Sequence, residues 1–138
     1  MRKTIVAYLI CWLTYLVLDW FWLAVAAREL YRRGLGTNLS SSVQLWPLMV
    51  WYGVASLLVI VFIIRPAFKK DDLGRALARA ALLGGALSAA FHLNSLALLN
   101  GWPVGLSLMG IIWGAVVTMA ATAITHLSLR SKWLVTWL

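Results

Sequence analysis

Acid is scarce in this sequence: Asp and Glu together number four, against twelve Lys and Arg in 138 residues. Cysteine occurs once, and a single thiol, Cys11, excludes an internal disulfide and a thiolate metal cage. Any stretch polar enough to build a water-facing surface is also missing, because 63% of the residues are hydrophobic, well above the share in an ordinary globular domain. The solvent that suits such a chain is lipid. Its net charge of +8 does not point to nucleic acid, whose readers gather Lys and Arg on one solvated face. Here the basic residues stand at the ends of apolar runs, where they fix topology and meet anionic headgroups.

What is present is four long apolar runs. A hydrocarbon core takes roughly 20 apolar residues per helix, so four spans and their turns use nearly the whole chain. Hydropathy predicts an all-α fold, a four-helix transmembrane bundle with spans over residues 4–26, 45–64, 76–99 and 104–127. The tail, 128–138, carries Trp133 and Trp137 and is expected to lie along the inner interface, so that 1–138 is one integral membrane domain. Met1-Arg2-Lys3-Thr4 resembles the start of a secretion signal. The apolar run behind it outlasts the ~7–15 residues such a signal uses and is expected to stay as the first span.

Asn100-Gly101-Trp102-Pro103 is turn chemistry, which predicts a tight hairpin between spans three and four. Arg2, Lys3, Arg65, Lys69, Lys70, Arg75, Arg79, Arg130 and Lys132 fall on one side of the predicted bundle, and Arg28, Arg32 and Arg33 on the other. Because Lys and Arg are retained in the cytoplasm on insertion, both termini are expected inside, in a bacterial inner membrane.

Helices in lipid associate through small residues that let backbones approach. Span three has Ala81, Gly85 and Ala89 on one line and Ala80, Gly84 and Ser88 on the next; span four has Gly110, Gly114, Thr118 and Thr122. Two readings stand for these stripes: a packing seam, or a face for a flat cofactor.

An ionisable side chain inside a span costs about 2.5–3.5 kcal/mol on insertion scales and needs a partner or a purpose. Asp19 and His92 both fall some seven residues before the outer ends of their spans, at matching depth by the ~1.5 Å rise per residue. Tyr52, Asn94 and Ser95 lie near that level and complete a predicted outer-half polar cluster. The readings open for it are a structural tie, a ligand or ion site, and His92 as axial ligand of a tetrapyrrole, haem or bacteriochlorophyll. His126 is expected at the inner interface. No metal site is expected, and no serine, cysteine or lysine stands with a base at a spacing that supports catalysis.

The chain resembles the domain-of-unknown-function 2177 family of small four-span bacterial membrane proteins. The resemblance rests on Leu18-Asp19-Trp20-Phe21-Trp22-Leu23, Tyr31-Arg32-Arg33-Gly34-Leu35-Gly36, Pro47 with Tyr52, and Arg65-Pro66-Ala67. It continues through Leu93, Leu96-Ala97, Trp102-Pro103 and Trp113-Gly114. Where the family pattern has Tyr-Asp, this chain has Phe91-His92; where it has Asn, Ser95; and where an Asp precedes Trp-Gly by three, Gly110. The resemblance implies a four-span membrane fold in a divergent member that keeps Asp19.

Three functions follow from these readings. Nine tryptophans and short loops point to a non-catalytic accessory or structural subunit of a larger respiratory, photosynthetic or transport complex, with lipids and other integral membrane proteins as partners. The alternative is a small transporter or ligand-binding protein built on Asp19 and His92. An enzyme ranks last, for want of acid-base groups.

Overall fold

The computed structural model describes residues 2–36, 44–70 and 72–131. Six α-helices account for almost all of them: α1 (Arg2–Phe21), α2 (Arg28–Leu35), α3 (Leu45–Val59), α4 (Arg65–Lys70), α5 (Leu73–Leu98) and α6 (Val104–Arg130). Two five-residue π-helical stretches, Trp22–Ala26 and Ile60–Ile64, continue α1 and join α3 to α4. Four helices are long and apolar enough to cross a membrane: Arg2–Val25, Leu45–Ala67, Leu73–Leu98 and Val104–Arg130. No strand occurs among the described residues. Each span starts or ends within three residues of its predicted bound. The part of the tail that bears Trp133 and Trp137 lies outside the described residues, while α6 runs on to Arg130, past the predicted end of the fourth span.

Local chemistry explains the joints. Pro66 has no N–H to give residue 62, and just ahead of it the helix widens so that Arg65 donates to the Ile60 carbonyl, five residues back. The third and fourth spans are separated by the expected turn, in which Gly101 holds φ +79° and the Trp102 N–H reaches the Leu99 carbonyl. The first connection is not the plain loop that the sequence predicts. It contains α2, in which Glu29 pairs with Arg32 and Arg33 one turn later.

The most intimate seam joins α5 to α6. Ala80 and Gly84 are buried in it, and a methyl on Gly84 would overlap the Gly114 carbonyl and Thr118. A methyl on Gly114 would strike the Ser88 hydroxyl. The tight line on α5 is therefore Ala80-Gly84-Ser88, and the predicted line Ala81, Gly85, Ala89 flanks it half-buried, with Gly85 in ordinary contact with Ala115. On α6, Gly110, Gly114 and Thr118 are buried, as a packing stripe requires. α1 packs against both α3 and α6. Trp12 ties the first of these contacts by donating to the Met49 carbonyl at 3.2 Å.

Candidate functional site around Asp19

One face of α1 carries Ala7, Cys11, Tyr15 and Asp19 at four-residue spacing, and the first three are buried against the rest of the bundle. That spacing stacks them along one line, one turn apart. Asp19 is half-buried. Its carboxylate accepts hydrogen bonds from the Tyr52 hydroxyl on α3 and, at 2.5 Å, from the Trp113 indole N–H on α6. Asp19 forms no ion pair among the described residues.

Aromatic rings fix both donors. Trp22, brought over by the π-helical turn that follows α1, stacks on Trp113 with ring centres 4.6 Å apart and planes within 9°. Tyr15 stacks on Tyr52 at 5.7 Å. Tyr15 then donates to Thr118 at 2.9 Å, and Thr118 donates to the Gly114 carbonyl at 2.7 Å. A cavity of about 60 Å³ lies among these groups, lined by Tyr15, Asp19, Tyr52, Ser88, Trp113 and Thr118 with their apolar neighbours. At about 30 Å³ per molecule in the liquid, that is space for two waters or a small ion.

α2 lies over the Asp19 end of this arrangement. Gly34 is in such close contact with Pro103 that a methyl there would overlap the ring, so α2 is stapled to the turn between spans three and four. Burial and, after it, the nearby negative charge of Asp19 push the Tyr31 hydroxyl's pKa up. On the exposed side of α2, hydrogen bonds from Arg32 and Arg33 hold the Glu29 carboxyl at about 2.

The sequence-predicted cluster separates into two places. Asp19 and Tyr52 meet directly, whereas His92 and Ser95 are buried elsewhere along α5. The His92 ring lies against Gly110, so that Nε2 occupies the place a side chain at 110 would take, and Phe91 and Trp102 border it. The two positions where the chain loses an acid of the family pattern thus touch one another. His92 Nδ1 is buried without a hydrogen-bond partner, and Ser95 returns its hydroxyl to the Phe91 carbonyl. Asn94 is exposed and takes no part in the cluster, because two residues turn a helix through about 200°.

His126, expected at the inner interface, is buried inside the bundle near the end of α6. With it lie Cys11, Ser56, Thr122 and Thr125, all fully buried, so a second polar layer exists below the first. Sequence reading did not assemble this layer, nor Tyr15, Trp113 and Thr118 around Asp19, though the four-residue recurrence of Cys11, Tyr15 and Asp19 is a usable signal. The described residues hold no group of His, Cys, Asp and Glu fit for a metal ion.

The sequence model of the family described as "Predicted membrane protein (DUF2177)" matches residues 4–127. No curated protein and no solved structure matches the chain.

Proposed function

The chain belongs to the DUF2177 family of predicted membrane proteins, and from that premise we propose that it binds a proton or small cation at Asp19, as a small carrier or binding protein of the bacterial inner membrane with both termini inside. The observation that carries this reading is a carboxylate within a membrane span held only by neutral donors, Tyr52 and Trp113, beside a cavity of about 60 Å³. A structural tie needs no such cavity. An uncompensated charge in hydrocarbon is costly, and a proton or a cation cancels it. The cavity has room for an ion or two waters. Two hydrogen bonds and two aromatic stacks hold the carboxylate in one orientation before anything binds, which lowers the ordering cost of binding.

Trp113 provides the readout, since its N–H points at the carboxylate. In detergent or nanodiscs, titration with acid, Na⁺ or K⁺ is expected to change tryptophan fluorescence and the carboxylic C=O infrared band, and Asp19→Asn to abolish both changes. A carboxyl band indifferent to pH and to both cations, in protein that remains folded, would end this reading.

A second reading, the accessory subunit, is favoured by Trp20, Trp46 and Trp51, which are exposed on α1 and α3. Mild-detergent extraction from native membranes tests it. Migration within a large assembly supports a subunit, and a solitary particle near 15.3 kDa plus its detergent counts against one.

A further inference from the structure

We propose that the buried polar side chains beneath Asp19 form a lane along the bundle axis that carries protons between the Asp19 site and the His126 end. The inference rests on Asp19 being a proton site.

Three helices contribute polar groups in helical register. α1 supplies Asp19, Tyr15 and Cys11; α3 supplies Tyr52 and Ser56; α6 supplies Thr118, Thr122, Thr125 and His126. From Trp113 to His126 is thirteen residues, about 20 Å of helix, or some two thirds of a hydrocarbon core about 30 Å thick. Two upper steps are joined by hydrogen bonds, Tyr52 to Asp19 and Tyr15 to Thr118, and water in the cavity that all four line bridges the one pair to the other. Lower down, the hydroxyls of Ser56 and Thr125 face the Cys11 thiol.

Two sets of helix hydroxyls contrast among the described residues. Thr14, Ser95 and Ser107, outside the lane, each donate to the carbonyl four residues back, which is how a hydroxyl in a membrane helix is normally satisfied; Thr118, within it, does so while accepting from Tyr15. The hydroxyls of Ser56, Thr122 and Thr125 are fully buried and make no such bond: Ser56 and Thr125 meet only the Cys11 thiol, a weak partner, and Thr122 meets nothing. Hydroxyls so poorly satisfied in one layer are costly unless something polar visits them. Water threaded between them meets that need and conducts, because a hydroxyl or water accepts one proton while it releases another.

The transfer balances without a redox partner. One proton enters at the Asp19 end and forms the carboxylic O–H. Each relay member then takes a proton on one lone pair and gives up its own, His126 accepts on one ring nitrogen and releases from the other, and one proton leaves. The ionisable groups around Asp19 are Tyr15 on its own helix, Tyr52 from α3 and Tyr31 from α2. In the lower layer they are Cys11, His126 and, one turn on, Arg130.

The test uses the full chain in liposomes that enclose a pH-sensitive dye, with a K⁺ diffusion potential as the driving force. Wild type is expected to acidify the lumen. Thr122→Val and Ser56→Ala are expected to slow that flux at least tenfold, and Thr122→Ser, which keeps the hydroxyl, to preserve it. Circular dichroism confirms that each variant is folded, and the infrared band of Asp19 is titrated in parallel. Wild-type flux in both Thr122→Val and Ser56→Ala, or no flux in wild type while Asp19 titrates, overturns the lane and leaves the Asp19 site standing. An Asp19 band that never titrates removes both.

Discussion

The Asp19 half and the His126 half of this bundle treat their buried polar groups in opposite ways. Around Asp19 the tyrosine, tryptophan and threonine groups are joined in a directed network braced by ring stacks. A dozen ångströms deeper, by the ~1.5 Å rise from Asp19 to Cys11, the hydroxyls of Ser56 and Thr125 have only the Cys11 thiol to meet and that of Thr122 has no partner. A network complete in itself fixes a geometry. A layer with unspent donors and acceptors fixes none and leaves its groups available.

That contrast can be broken by substitution, and the largest effect is expected where the two halves share a seam. Gly114→Ala drives a methyl into the Ser88 hydroxyl and towards the Gly84 carbonyl, and overpacking of this kind costs about 1–3 kcal/mol. Gly85→Ala meets only the Ala115 methyl at 3.8 Å and is expected to leave stability unchanged. Unfolding of the two variants in mixed micelles compares them directly.

A finer cut uses one helix. Tyr52→Phe removes a donor from Asp19, and Ser56→Ala, one turn deeper on α3, removes a hydroxyl that meets only the weakly bonding Cys11 thiol. Interhelical hydrogen bonds in membranes are worth about 0.6 kcal/mol on average and up to about 1.7, so Tyr52→Phe is expected near the upper figure and Ser56→Ala at or below zero. The same unfolding assay decides, and equal losses would erase the distinction between the halves. Trp113→Phe keeps a ring to stack on Trp22 while deleting the N–H. It is expected to cost about 0.5–1 kcal/mol in that assay and to abolish the fluorescence response to acid.

The smallest effect concerns α2. Its Glu29 has a folded-state pKa of about 2, below the ordinary 4.5, so the Arg32 and Arg33 contacts contribute in full above pH 4.5 and are lost as the pH falls through 2. Because the carboxyl is wholly exposed, water screens the pair and little stability rides on it. A spin label on Leu35→Cys, in a Cys11→Ser background, is expected to gain slight mobility between pH 5 and pH 2, without change in the Asp19 network.

Composition made the four spans legible, since nothing but a membrane helix uses apolar runs of that length. Asp19 was legible because an acid inside such a run needs a partner or a purpose, and Tyr52 followed from depth. Rotation about the helix axis was not legible: hydropathy says how deep a residue sits and nothing of which way it faces. Asn94 and His92 are nearly equal in depth and point apart. For the same reason Trp113 was indistinguishable from the other tryptophans, all of which suit an interface. The burial of His126 was not legible because it stands near Arg130 at the end of an apolar run, whereas α6 carries its buried face as far as Leu129.

The indole that steadies Asp19 is encoded ninety-four residues downstream, on α6. During synthesis α1 must therefore settle in the bilayer with its carboxylate bare, gaining the Tyr52 phenol thirty-three residues later and the indole later still. A ribosome stalled before α6 would leave a half-built protein in which α1 slips back out more readily than from the assembled bundle.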